Sequence, residues 1–210
     1  NAARDRRGEG ARDAARSREQ REALDHVWDA ALCGSLPRLR DALQREGAAR
    51  AASSSGALVR PPWAFVSARD RTPRLGRTAL HLVSLGAARA VAAAQRRLRR
   101  DCAAGGKSSG RNLQSKQFEA ADDQDHARCA RCLLQRAGAA VDAEDASART
   151  PLMYAAAAGA GRVVAVLLEH GADVRVCDEA GLTALHLATA WARTKVANQL
   201  RAAGASGGAK

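Results

Sequence analysis

Three side chains that lie close together in the sequence, His126, Cys129 and Cys132, are of the types that bind zinc. A structural zinc ion takes four ligands, and imidazole nitrogens and thiolates are common among them. On a helix these residues would follow one another at intervals of three, and no fourth ligand stands nearby in the sequence. We therefore expect no metal here and interpret Cys129 as a small hydrophobic residue of the core.

Two further patterns suggest chemistry that their surroundings do not support. Gly105-Gly-Lys107-Ser108 is similar to the end of a phosphate-binding loop, but Asp101 stands where that loop begins with glycine, and no apolar strand precedes it. His81 and His186 could act in acid–base catalysis, yet both stand in a Thr-x-Leu-His box. No Ser/His/Asp set or pair of carboxylates accompanies them. We therefore expect no catalytic residue, no cofactor and no enzyme activity.

The net charge of +12 comes from one part of the chain. Residues 36–111 hold sixteen basic and four acidic residues, whereas the two kinds are equal in number in the rest. An anionic partner would therefore meet this region. Its densest run, Gln95-Arg-Arg-Leu-Arg-Arg100, lacks neighbouring aromatic residues that would stack on bases, so we do not expect nucleic-acid binding. The simpler explanation is nucleotide bias in the coding sequence, because 30 of the 34 basic residues are arginine.

The composition indicates a thin, repetitive helical structure. Hydrophobic residues make up 46% of the chain but aromatic residues only 3%, and alanine dominates the former. Small side chains favour closely packed helices over a thick core. No run approaches the roughly 20 apolar residues of a membrane span, and we expect no membrane insertion and no secretion. Five cysteines, an odd number without framework spacing, predict reduced thiols in the cytoplasm or the nucleus.

Two segments of the chain share one pattern. Thr150-Pro-Leu-Met-Tyr-Ala-Ala-Ala-Ala-Gly159 and Thr183-Ala-Leu-His-Leu-Ala-Thr-Ala-Trp-Ala192 begin 33 residues apart, and Arg162-Val-Val-Ala-Val-Leu-Leu-Glu-His-Gly171 lies between them. This order strongly resembles the ankyrin repeat family. The resemblance implies an all-α solenoid of stacked helix-turn-helix units with finger loops or β-hairpins. It also implies that His81 and His186 hydrogen-bond the backbone of neighbouring loops.

Single residues fit the tasks that such a unit sets. Thr150 and Thr183 can cap the first helix through their side chains. Pro151 stands at a helix start, where its missing N–H is not needed. Gly159 marks the turn between the two helices, and Gly171 ends the second helix at a position that favours a left-handed residue.

The same template extends backwards through the chain. It is clear over about 142–204 and weaker over 25–48 and 76–141. We expect an ankyrin domain at 23–204 with about four or five repeats, at 25–48, 76–100, 116–141, 145–177 and 178–204. Insertions are expected at 49–75 and 101–115, a charged tail at 1–22 and a C-terminal tail at 205–210. In the repeat at 76–100, a second helix is expected at roughly Arg89–Arg99. Alternatively, residues 88–125 are one insertion, and 126–137 complete the helix pair that begins at Thr78.

The resemblance also implies where a partner binds. Ankyrin-like repeats contact partners through a concave face built from their first helices and finger tips. Carried over to this sequence, the positions are Arg74, Arg77, Leu85, Arg149, Ala157, Glu179, Leu182 and Trp191. Arginine and tryptophan are enriched among binding hot spots, so the three arginines and Trp191 come first. Trp191 could instead pack on a following repeat.

We therefore expect a monomeric, non-enzymatic scaffold or adaptor that binds a protein partner. If the concave face is basic, that partner is acidic where it touches this face, and its affinity falls with salt. One alternative is a recognition or regulatory module of a larger enzyme or channel. A second alternative is the binding of nucleic acid or another anionic partner through residues 36–111.

Overall fold

The computed structural model describes residues 25–51, 76–103 and 123–204. Regular structure in these ranges is helical, apart from one isolated antiparallel bridge between Cys177 and Thr183. The helices are α1 at residues 25–33, α2 at Leu36–Ala51, α3 at Ala79–Ala103, α4 at Gln124–Ala137, α5 at Pro151–Ala158, α6 at Gly161–Glu169, α7 at Ala184–Ala190 and α8 at Thr194–Ala202. The predicted all-α class is confirmed. The predicted tails at 1–22 and 205–210 and most of both insertions lie outside the described residues.

The helices form two layers. In the first layer α3 packs on α5 and α5 packs on α7, and in the second α2, α4, α6 and α8 pack on one another in that order. Each second-layer helix from α4 onwards also packs on a first-layer helix, in the pairs α3/α4, α5/α6 and α7/α8. With α1 and α2, which are joined by a turn at Gly34, the described residues contain four helix pairs, called units 1 to 4 below.

Unit 2 differs from the simple template. The second helix expected at Arg89–Arg99 is wrong, because α3 continues without a break for 25 residues, from Ala79 to Ala103. Nothing in the alanine-rich stretch after Gly86 stops a helix, and Gly86 itself does not adopt the left-handed conformation. The partner of α3 is α4. The pairing of α3 with α4 agrees with the alternative in which residues 88–125 are one insertion within a single helix pair. It does not agree with two separate repeats at 76–100 and 116–141.

The predicted side-chain cap forms at Thr183 but not at Thr150. Thr183 accepts a hydrogen bond from the His186 N–H at 3.4 Å, and the His186 Nδ1 atom accepts one from the Thr183 N–H, so the predicted cap is confirmed. The predicted cap at Thr150 is wrong, because its side chain makes no capping bond. The Met153 N–H donates to the Thr150 backbone carbonyl instead, and methionine lacks the imidazole nitrogen that completes the cap in unit 4. Pro151 starts α5 as predicted.

The turn glycines confirm their predicted roles. Gly159 ends α5 with φ 80°, and Gly171 follows α6 with φ 82°. Two alanines occupy the same left-handed region at related places: Ala148 with φ 55° precedes α5, where Gly181 with φ 75° precedes α7, and Ala192 with φ 54° follows α7. Alanine pays a steric cost there that glycine avoids.

One hydrophobic core runs through all four units. Its largest members are mostly leucines from both layers: Leu39, Leu80, Leu133, Leu152, Leu167 and Leu200. Buried alanines such as Ala155 and Ala188 lie between them and let neighbouring first-layer helices approach closely. No helix in the described ranges is long and apolar enough to cross a bilayer.

Candidate functional site

The loop that leads into α5, residues 139–150 and here called the first finger, is held by a buried carboxylate. Asp145 Oδ1 accepts hydrogen bonds from the Ser147 N–H at 2.8 Å and the Arg149 N–H at 2.9 Å. The Tyr154 hydroxyl of α5 donates to Asp145 Oδ2 at 2.6 Å. Burial alone would raise the pKa of the Asp145 carboxyl, but these three hydrogen bonds outweigh it and place the pKa below its ordinary value.

Unit 2 reaches the same finger through Arg77 and His81. Arg77 Nη2 donates to the Tyr154 hydroxyl at 3.3 Å, and its guanidinium carbon lies 5.3 Å from the centre of the tyrosine ring. His81 Nε2 donates to the Arg149 carbonyl at 2.9 Å, since a carbonyl can only accept. The Nδ1 atom of the same ring therefore accepts from Thr78. The bond to neighbouring loop backbone that was predicted for His81 is confirmed.

Unit 4 joins the network through Asp178, in the second finger, residues 171–183. The Arg149 Nε donates to Asp178 Oδ2 at 3.2 Å, and 42% of the arginine side chain stays exposed while the aspartate is buried. Asp178 Oδ1 accepts from the N–H groups of Ala180 and Leu182, as Asp145 does in the first finger. Desolvation would lower the pKa of Arg149, but the nearby Asp178 outweighs it and raises that pKa. The two arginines that were predicted to face a partner thus also hold the fingers together.

The predicted contact residues fall into two groups. Arg77, Leu85, Arg149 and Ala157 are half-buried. Glu179 is exposed, as are Leu182 and Trp191, with 37% and 63% of their surface accessible. Among the residues whose burial the structure describes, those last two are the only exposed large hydrophobic residues, and both belong to unit 4. Arg74 lies outside the described residues.

Sequence reasoning missed the centre of this network. From the sequence, Asp145 is only the first residue of the repeat expected at 145–177, and Tyr154 is not singled out. The signal was present, because Tyr154 stands where the equivalent positions of units 2 and 4 hold Leu82 and Leu187. A tyrosine at an otherwise apolar position carries a hydroxyl that needs a partner when it is buried.

The residues that suggested a metal site are spread over separate contacts. The His126 imidazole contacts the Leu32 carbonyl of α1, with Nε2 at 3.3 Å. Cys129 is fully buried, which confirms it as a core residue, and burial, with the neighbouring Cys132 and Asp125, raises the pKa of its thiol to about 12. Within the described ranges no three His, Cys, Asp or Glu side chains are grouped as metal ligands would be. The segment Gly105–Ser108 lies outside those ranges.

Comparison with known proteins agrees with the repeat pattern. A family model described as ankyrin repeats (3 copies) matches residues 118–210, which include α4 and the whole of units 3 and 4. The search of curated proteins gives no match.

Proposed function

We propose that this chain is a non-enzymatic scaffold, because ankyrin repeats match residues 118–210 and such repeats are generally protein–protein interaction modules. It binds a protein partner through the first-layer helices and finger tips of units 2 to 4. The observation that carries this proposal is the exposure of Leu182 and Trp191. Both stand at positions where the family contacts partners, and tryptophan is enriched among the residues that contribute most to binding energy.

The partner's chemistry follows from what surrounds these residues. We propose that it inserts an apolar side chain against Trp191 and presents a carboxylate to Arg149, whose side chain is only partly engaged by Asp178. Exposed Glu179 next to Asp178 limits how strongly acidic that partner can be at the second finger. The free thiols of Cys33, Cys129, Cys132 and Cys177 suit a reducing compartment, the cytoplasm or the nucleus.

The test replaces Leu182 and Trp191 with alanine together and compares the double variant with wild type in a pull-down from lysate. Charge reversal at Arg77 or Arg149 would also break contacts with Tyr154 and Asp178, so the apolar pair gives the cleaner result. Arg131→Ala is the matched control, because this residue is exposed on α4 in the second layer. Helical circular dichroism checks that every variant is folded.

We expect a protein that wild type and the control retain and the double variant loses by at least about tenfold, as for hot-spot residues. Equal retention by all three would refute the assignment to this face. Binding of the retained protein is then measured at low and high salt. Affinity that does not change with salt would reject the carboxylate contact with Arg149 but not the apolar one. Nucleic acid in place of protein would favour the basic region 36–111.

A further inference from the structure

Charge is divided unevenly between the second layer and the fingers. Residues 123–204 contain nine basic and nine acidic residues, so this part of the chain has no excess of either sign. The second-layer helices α4, α6 and α8 contain six of the basic residues and two of the acidic ones, whereas the two fingers contain two basic and six acidic residues. A coding bias towards arginine would favour basic residues in both places, so it does not explain this division.

Three of the six second-layer cations occupy the same position in successive units. Each stands five residues before a leucine of the core that is fully buried. Five residues turn an α-helix through about 500°, so each cation lies about 140° around its helix from that leucine and points away from the core. The cations, called the basic row below, are Arg128 on α4, Arg162 on α6 and Lys195 on α8, which precede Leu133, Leu167 and Leu200.

The members of the basic row are close enough to act on one anion together. Packed helices lie about 8–10 Å apart, which is close to the Debye length of about 8 Å at physiological ionic strength. Salt therefore screens the field of one member only in part at the position of the next. Arg40 on α2 and Arg131 on α4 add two exposed cations to the same layer.

The guanidinium groups of this layer already pair with carboxylates of the chain itself. Arg131 Nη2 lies 3.0 Å from a carboxylate oxygen of Glu169, and Arg128 Nη1 lies 3.4 Å from one of Asp125. The two arginine side chains remain 48% and 56% exposed, so a partner can reach them. Ion pairs as exposed as these hold their members weakly. A carboxylate from another protein can therefore share or displace the internal one.

The second layer offers charge and little else. The helices α4, α6 and α8 contain no phenylalanine, tyrosine or tryptophan, and the exposed large hydrophobic residues, Leu182 and Trp191, lie outside them. Stacking on the bases of a single-stranded nucleic acid needs aromatic side chains, and insertion into a bilayer surface needs apolar ones. Binding of carboxylates needs neither.

We propose that the basic row binds an acidic protein segment, rich in aspartate or glutamate, that lies along the outer side of the second layer. Arginine can hold a carboxylate through two parallel N–H···O bonds, and Lys195 adds a point charge. The row spans about 20 Å over three helices, and an extended segment of about six residues covers this distance. The partner proposed for the first-layer helices and finger tips meets the other layer, so the two contacts are independent.

The experiment measures the binding of a fluorescent peptide of about eight glutamates, long enough to cover the row, to the full chain by anisotropy. A glutamine peptide of equal length is the neutral probe. The test variant, called the row variant, carries Arg128→Glu and Lys195→Glu. Arg162 is kept, because its backbone N–H and its side chain contact the buried Asp123. Both replaced residues lie in the N-terminal half of their helices, where the helix dipole does not oppose an acidic side chain.

The matched control carries Arg89→Glu and Arg175→Glu. These arginines are exposed on α3 and in the second finger, outside the second layer, and the two replacements change the net charge by the same amount as in the row variant. Two charges are reversed at once, because the loss of a single second-layer charge changes the summed potential little. Circular dichroism checks that both variants are folded.

We expect wild type to bind the glutamate peptide but not the glutamine peptide, with an affinity that falls as salt rises. The Kd should rise by at least about tenfold in the row variant and by less than about threefold in the control. An equal rise in both would show that net charge attracts the peptide and would overturn the proposal, as would a wild type that does not bind it. Leu182→Ala with Trp191→Ala should bind the peptide as wild type does, so this test and that of the proposed function fail separately.

Two further measurements decide the remaining outcomes. Should the row variant not fold, Arg128→Gln with Lys195→Gln replaces it, with an expected rise in Kd of about threefold and no change in the matched pair Arg89→Gln with Arg175→Gln. A DNA duplex and phosphatidylserine vesicles are tested as competing anions. Tighter binding of either than of the peptide, lost in the row variant and kept in the control, would overturn the proposal in favour of nucleic acid or a membrane surface.

Discussion

Removing the hydroxyl of Tyr154 tests whether the finger network stabilises the stack. Tyr154→Phe keeps the ring, so the contacts of the ring with Arg77 and His81 remain. It deletes the hydrogen bond of 2.6 Å to Asp145 Oδ2, which leaves that buried carboxylate oxygen without its donor, and it also removes the acceptor of the 3.3 Å bond from Arg77 Nη2. Hydrogen bonds to charged groups contribute about 1.5–3 kcal/mol, and we expect the free energy of unfolding at pH 7 to fall by about 2 kcal/mol.

Urea denaturation followed by circular dichroism measures this loss, and its pH dependence provides an internal check. In wild type, the lowered pKa of Asp145 gives stability that is present above the ordinary value of 3.8 and is lost as the pH falls through the lowered pKa. Phenylalanine removes one cause of the lowering while burial remains. The difference between variant and wild type should therefore shrink on acidification below pH 4.

The tyrosine itself offers a direct readout, because it is the only one in the chain. Burial, followed by the hydrogen bond to Asp145, raises the pKa of Tyr154 above its ordinary value of 10.0. Ultraviolet absorbance during an alkaline titration reports that pKa without interference from other tyrosines. A loss below about 0.5 kcal/mol in Tyr154→Phe, together with a normal tyrosine titration, would refute the network as a source of stability.

Three further expectations concern the fingers. Gly181→Ala should cost about 1 kcal/mol of unfolding free energy, because nothing lies within 4 Å of the new methyl group and only the left-handed backbone opposes it. The reciprocal Ala148→Gly should gain about 0.5 kcal/mol, and a loss there would show that the conformation is not strained. Asp145→Asn should lower stability at pH 7 and flatten its decline below pH 4, since the lowered pKa of that carboxyl is removed. Urea titrations at pH 7 and pH 3.5 check this, and an unchanged acid decline would contradict it.

The sequence predicted well those features that local geometry sets. The His81 bond to the Arg149 carbonyl crosses from unit 2 to the first finger and was implied by the family resemblance. Pro151 at a helix start and Gly159 and Gly171 in left-handed turns instead follow from residues that lie within one unit. Each of these residues has a backbone or side-chain preference that few others share. The pattern around Thr150 and Thr183 could therefore be read without knowing which unit stacks on which.

Features that depend on how the units stack could not be predicted from these local patterns. Thr150 resembles Thr183 in sequence, but its side chain makes no capping bond. Met153 stands where unit 4 has His186, whose Nδ1 atom accepts a hydrogen bond from the Thr183 N–H and completes that cap. The helix pair α3/α4 joins segments separated by the stretch 104–122, so spacing alone left two divisions open.

The contacts between units explain why the candidate site was only partly predictable. Arg77 and Arg149 were chosen because arginine is common at interfaces, yet each also bridges two units, through Tyr154 and Asp178. In the proposed interface these two arginines would contribute to the stability of the fingers and to the contact with the partner. A partner that binds Arg149 must therefore compete with Asp178 or share the guanidinium with it, whereas contacts with Trp191 require no such exchange. For the proposed partner we therefore expect Trp191, rather than the arginines, to be the main source of binding energy.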